Sequence, residues 1–365
     1  MNIPAKPLGT SQIETFFAIT RTLIAVLIAL IIAYVLIWAV SERPDRDFIT
    51  LLVGPLRNHS RRITILSKLI PLLFTGTAVC MVYACGQINI AAEGAFFAGC
   101  VASTVVAIFG GIPSFSHILL CMAAGGLAGA IVMGIPGILH ARYDVVTIVS
   151  SLMMNYVSLY LGLYIILNPL RDPAAGFEAS FLFSRSAILP RILDSNRIHI
   201  GLPIGALVVF LGYFILYKTS FGYSARTVGT NQKFALYSGI PVGKTIIATS
   251  LIAGCFAGIG GAAETLGNYQ RFVYSGFTNH GWNGIMLAVL CRNNPKYMPF
   301  AALFLAYLQT SSDALNFSSK IPPELISVIQ AIIIVFVAAE RFLAGIEHRA
   351  VVRNSQRALA AGKEV

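Results

Sequence analysis

The chain has 365 residues, of which 56% are hydrophobic and only 11% charged, and its formal net charge is +11. A soluble domain keeps its surface hydrated with about a quarter charged residues; no polar stretch here is long enough to form one, which excludes a soluble globular fold. The basic residues stand between apolar runs rather than along one stripe, so they suit anionic lipid and exclude a nucleic-acid-binding module.

Residues 1–20 lack an apolar core followed by a small-residue cleavage site, so they are not a signal peptide and are expected to stay as a cytoplasmic segment. Apolar runs near the roughly 20 residues that a bilayer requires follow at 21–40, 66–85, 94–109, 117–139, 145–167, 199–217, 245–263, 282–292, 297–313 and 321–340. They predict an all-α polytopic membrane protein of about ten transmembrane helices in one domain, 21–340. Runs 94–109 and 282–292 are short and fit broken or re-entrant helices.

With the N-terminus inside, the 26 basic residues divide almost evenly across the membrane, because Arg43, Arg46, Arg57, Arg61, Arg62 and Lys68 fall outside. Orientation rests on the polar loop 218–244 and the basic tail 341–365 (Arg341, Arg349, Arg353, Arg357, Lys363), both of which fall on the cytoplasmic side.

Two stretches with the same pattern, AGGLAG (124–129) and AGCFAG (253–258), put glycines four residues apart. Small residues at that spacing let helices approach closely in lipid, where the hydrophobic drive between them is missing. The repeat fits either two related halves or coincidence.

Two polar interruptions carry the candidate functional residues. The first is GQINIAAEG (86–94), with Asn89 and Glu93. A charge at membrane depth costs about 2.5–3.5 kcal/mol on insertion scales, so Glu93 needs a partner or a task. It either lines a central cavity with Asn89 or caps the helix that follows it. Thr147, Ser150, Ser151 and Asn155 share one later span, where they serve either a solute or helix–helix contact. The second interruption is NHGWNG (279–284), ahead of a short apolar run. Trp282 either stacks on a flat ligand or anchors at an interface, with Asn283 beside it.

Between two apolar runs lies FGYSARTVGTNQKFALYSGIPVGK (221–244). Its end imitates a phosphate-binding loop, but only three residues separate Gly239 from Gly243 where four are required. This chain is therefore not expected to bind ATP.

The same loop resembles the coupling segment of ABC importer permeases in the ribose, simple-sugar and nucleoside branch. The resemblance is carried by Arg226, Val228, Gly229, Asn231, Ala235, Tyr237, Gly239 and Ile240. NIAAEG (89–94), WNGIMLAVLCRNNP (282–295) and IPPELISVIQAIIIVFVAA (321–339) extend it over about 66–340, and NIAAEG is most similar to the nucleoside-type, lipoprotein-associated permeases. The resemblance implies the ABC importer permease fold in a bacterial cytoplasmic membrane. It implies an ATPase subunit that holds the ATP and Mg, no cofactor on this chain, a second permease subunit and an extracytoplasmic substrate-binding protein. The substrate pathway would use Asn89, Glu93, Thr147, Asn155, Trp282 and Asn283 for a nucleoside or simple sugar. Two departures bear on the ligand: relatives often have an acid at Asn283, and Asn-Glu in place of Val146-Thr147.

The rival reading is an ion-coupled secondary transporter of a small polar solute. It wants several intramembrane ionisable groups, and this chain offers essentially Glu93 alone. Six scattered histidines and six cysteines without CxxC spacing suggest no metal site and no disulfide framework.

Overall fold

A computed structural model describes residue 24 and residues 27–192, 198–319 and 321–338. The expected segment 1–20 and the basic tail 341–365 lie outside the described residues. The described residues are almost wholly helical, with two isolated β-bridges, Arg171–Ser180 and Arg191–His199. The helices are α1 (Leu27–Val40), α2 (Pro44–Arg57), α3 (His59–Ala84), α4 (Ala92–Ala107), α5 (Ser114–Tyr143), α6 (Thr147–Leu167), α7 (Gly201–Lys218), α8 (Ser220–Thr230), α9 (Gln232–Tyr237), α10 (Val242–Asn268), α11 (His280–Leu290), α12 (Met298–Ser318) and α13 (Pro323–Ala338).

Among the described residues, α3, α5, α6, α7 and α10 are each long and apolar enough to cross a membrane, and α1, α4 and 324–336 are shorter apolar helices. Three boundaries differ from the sequence expectation. Most of the stretch 41–65 is helical: α2 starts with acids in its first turn and ends on Arg57, a charge order that suits the helix dipole, and α3 begins seven residues before its apolar run. α10 continues to Asn268, which brings Glu264 inside the helix. The 218–244 loop holds two helices, α8 and α9.

Backbone contacts divide the chain into two units. The smaller contains α1, α2 as far as Gly54, α12 from Ser311 and α13. Within it Tyr34 donates to Asp45 at 2.8 Å and Ser41 to Asp47 at 2.6 Å, tying α1 to the start of α2. The larger, Pro55–Thr310, contains everything below.

Its centre is α10, packed on α5, α4 and α3. The two AGxxAG stretches face each other: a Cβ on Gly258 would enter the Gly125 carbonyl, and one on Gly254 the Gly129 carbonyl. Glycine is therefore required for this approach, in which backbone dispersion stands in for side-chain packing. Around α4, Phe96, Phe97, Cys100, Leu159 and Phe272 form a buried cluster.

α3 and α4 are joined by residues 85–91, which form no regular helix. This joint begins at the end of the unit where α3 meets α8. At the opposite end, residues 168–192 fold over the C-terminal end of α10: Leu189 donates to Leu266, Phe183 to Gln270 and Ser180 to Phe272 through backbone bonds of 2.9–3.2 Å. Arg271 and Asp172 add an ion pair at 3.3 Å.

Candidate functional site

The joint 85–91 is an irregular backbone inside an apolar bundle, so the polar groups that the end of α3 leaves unpaired need partners from side chains. α6 supplies three of them. Thr147, Ser151 and Asn155 are four residues apart and so lie on one helix face. Thr147 donates to the Gln87 amide oxygen at 3.1 Å, and the Ile90 N–H donates to the Ser151 hydroxyl at 3.1 Å. The Asn155 amide donates to the Ile90 carbonyl at 3.0 Å and accepts from the Gly94 N–H at 2.8 Å. Asn89 closes the joint from the other side: its amide donates to the Met133 carbonyl at 3.1 Å and accepts from the Ala91 N–H at 3.0 Å.

Glu93 follows in the first turn of α4 and is completely buried. Its carboxylate caps a different helix, α11, across 188 residues of sequence. One oxygen accepts from the Thr278 hydroxyl at 2.9 Å and the Asn279 N–H at 2.7 Å. The other accepts from the Gly281 N–H at 2.6 Å and the Trp282 N–H at 3.4 Å. Asn279 presents its N–H by taking a left-handed conformation, φ 63°, which asparagine tolerates better than most residues. Both α4 and α11 begin at this carboxylate, so two positive helix ends meet one negative charge.

The depth of this junction follows from α3. A Cβ on Gly284, one turn into α11, would meet Thr75. Thr75 lies nine residues, about 14 Å at the helical rise, from the Ala84 end of a helix of 26 residues. α11 thus starts midway along the bundle and runs as a half-length helix toward the end formed by α8.

The six residues expected to line a pathway converge on these two breaks. Asn89, Thr147 and Asn155 have their polar atoms engaged in holding the joint, and Glu93 has its carboxylate engaged in capping α11. Trp282, 37% exposed, and Asn283, partly exposed, stand on the first turn of α11. Beside them Phe277 packs edge-on to Tyr156, which stacks on Tyr160. Sequence reading missed Thr278 and the role of Ser151, although the four-residue spacing of 147, 151 and 155 carried the signal. It also missed Glu264, a second acid in the bundle, 7% exposed, one of whose carboxylate oxygens has no hydrogen-bond partner.

At the α8–α9 end, the residues that carried the family resemblance build a scaffold. Asn231 accepts from the Phe234 N–H at 3.0 Å and so caps α9. Gly239, at φ 79°, ends it: the Ile240 N–H donates to Ala235 and the Gly239 N–H to Leu236, both at 3.0 Å, the pairing of a Schellman stop. Ala235 and Val228 are buried with Cys85, Ala225 and Ile246, and Ile240 packs on this cluster. The Arg226 guanidinium lies over the Tyr217 ring at 4.7 Å. Gly229 rests on the start of the joint, where a Cβ would enter the Ala84 carbonyl. What remains outward is Phe234, Leu236 and Tyr237, the last 89% exposed.

Comparison with known proteins identifies the family. The model of the family described as "Branched-chain amino acid transport system / permease component" matches residues 61–338. The guanosine ABC transporter permease protein of Bacillus subtilis is 34% identical over 284 residues, 76% of this chain and 82% of its own. A glucose ABC transporter permease protein of Haloferax volcanii is 28% identical over 94% of this chain and 93% of its own. A nucleoside ABC transporter permease protein of Lactococcus lactis is 28% identical over 87% and 90%. Bacillus subtilis and Lactococcus lactis each have a second permease of the same description that also resembles this chain. The joint at Glu93, the half-helix α11 and the α8–α9 turn are thus features of a membrane permease, and the chain belongs to the branched-chain amino acid transport system permease family, among relatives that include ABC transporter permeases for nucleosides and sugars.

Proposed function

We propose that this chain forms half of the solute path of a bacterial ATP-driven importer and carries a nucleoside or simple sugar. The observation that carries the reading is the half-helix α11, whose N-terminus meets the Glu93 joint at mid-bundle. Broken helices of this kind are how transporters bring polar groups to the membrane midplane.

The joint runs from that point directly to α8. The exposed Phe234, Leu236 and Tyr237 at the tip of α9 supply an apolar knob for a groove in a separate ATPase, which holds ATP and Mg. Closure of the ATPase would push α8 and α9, move the joint, and rock α4 against α11. The loop, both termini and the basic tail lie in the cytoplasm in this reading, with about ten spans in the domain 21–340. The paired permeases of Bacillus subtilis and Lactococcus lactis support a second, different permease as the other half, fed by an extracytoplasmic binding protein. Asn89, Glu93, Thr147 and Asn155 shape the path, while Trp282 and Asn283 face the solute.

Co-purification of the tagged chain from its native membrane tests this. An ATPase and a second permease are expected, and in proteoliposomes a nucleoside- or sugar-loaded binding protein should stimulate ATP hydrolysis. A solitary chain whose uptake survives ATP depletion and collapses with an uncoupler would overturn the reading in favour of ion coupling.

A further inference from the structure

We propose that Glu93 sets the charge selectivity of the path: by occupying the N-terminus of α11 it closes a ready-made anion site and leaves the break suited to uncharged solutes. The inference deepens the reading above and rests on it for the existence of a path.

The free N-terminus of a helix is an attractive site for phosphate or carboxylate, because unpaired N–H groups and the positive dipole end point the same way. α11 has 11 residues and starts at mid-bundle, where a passing solute would meet that end. Here the N–H groups of Asn279, Gly281 and Trp282 and the Thr278 hydroxyl are all spent on Glu93. A solute anion could take their place only by leaving a fully buried carboxylate without partners, which is strongly unfavourable. The carboxylate also turns the sign of the local field, from the partial positive charge of a helix end to a net negative one. The Lys68 ammonium, on α3, donates to the Gln309 carbonyl at 3.3 Å. The groups left on the same turn of α11 are the half-exposed indole of Trp282 and the amide of Asn283, which suit a neutral ring with hydroxyl or amide substituents. Nucleosides and sugars pass on this basis, whereas their phosphates and carboxylic acids are rejected at the break.

The test reads local charge directly. A cysteine placed by Asn283→Cys in the assembled transporter is treated with cationic and anionic methanethiosulfonates of matched size, with the unmodified transporter as background. The cationic reagent is expected to react faster, relative to a free thiol in solution. Glu93→Gln should then raise the anionic-to-cationic rate ratio by about threefold or more, while Thr278→Val, which removes one hydrogen bond and no charge, should leave the ratio unchanged. A ratio unmoved by Glu93→Gln, or a cysteine that neither reagent reaches, overturns the proposal. Should Glu93→Gln fail to assemble, the single variant decides: faster reaction with the anionic reagent overturns it, and the cationic preference sustains it. Because no solute is moved in this measurement, a failure here is distinct from a failure of the importer reading.

Discussion

Gly86 and Gly229 meet backbone to backbone: a Cβ on Gly86 would sit 2.9 Å from the Gly229 Cα, and Gly86 itself holds φ 72°. This contact joins α8 to the second residue of the joint without any side chain between them, so displacement of α8 reaches the joint with little slack. Gly229→Ala forces α8 away from the Ala84 carbonyl, and Gly229→Asp adds a charge in the same gap. Both variants are expected to assemble, keep basal ATP hydrolysis in the complex, and lose its stimulation by loaded binding protein. Normal stimulation in the alanine variant would show that coupling travels elsewhere.

Asn155 satisfies two buried backbone groups with one amide. Asn155→Leu keeps the volume and leaves the Ile90 carbonyl and the Gly94 N–H without partners, a loss of about 2–4 kcal/mol. A drop of several degrees in the melting temperature of the detergent-solubilised chain is expected. Ser151→Ala, which orphans the Ile90 N–H alone, should cost less. Equal melting of Asn155→Leu and the unmodified chain would mean that the joint does not depend on α6.

Gly258→Ala and Gly110→Ala make a matched pair. The first drives a methyl into the Gly125 carbonyl, whereas the second meets nothing within 4 Å. Size-exclusion profiles should show the first broadened or aggregated and the second unchanged, because overpacking at a close helix crossing cannot relax locally.

His199 lies outside the helical spans, completely buried, with Nδ1 accepting from the Gly201 N–H at 3.1 Å. Burial, helped by the charge of Arg191, holds its pKa down to about 4 from an ordinary value near 6.5. The unfolded chain therefore binds a proton that the folded chain refuses. Stability from this group is complete above about pH 6.5 and falls as pH drops toward 4. Thermal melts at pH 7.5 and pH 5 should separate for the unmodified chain and draw together in His199→Gln; an equal separation in both would assign the pH dependence to other groups.

The long apolar runs made the helical class legible, and Gly, Asn and Gln between two of them marked the joint, because an amide-rich interruption has no place in a continuous lipid-facing helix. The partner of Glu93 was not legible. It comes from residues 278–282, and nothing local to NIAAEG or NHGWNG says that the two breaks adjoin. Glu264 escaped because hydropathy ends the run at Ala263 while the backbone continues its hydrogen bonds for another turn. α2 escaped because an amphipathic helix beside a membrane carries enough charge to read as a loop. In the loop 218–244, Tyr237, Gly239 and Ile240 were visible as a pattern, and their meaning as the stop of a six-residue helix lies in the bonds of Ile240 and Gly239.

The two hydrogen bonds of Asn155 also limit how the joint can move. Ile90 lies in the joint and Gly94 in the first turn of α4, and one planar amide holds both. The start of α4 cannot swing by degrees relative to Ile90, because any rotation that lengthens one bond spoils the angle of the other. Displacement of the joint therefore loads both bonds at once, and Asn155 is the clasp that fixes Ile90 to the start of α4.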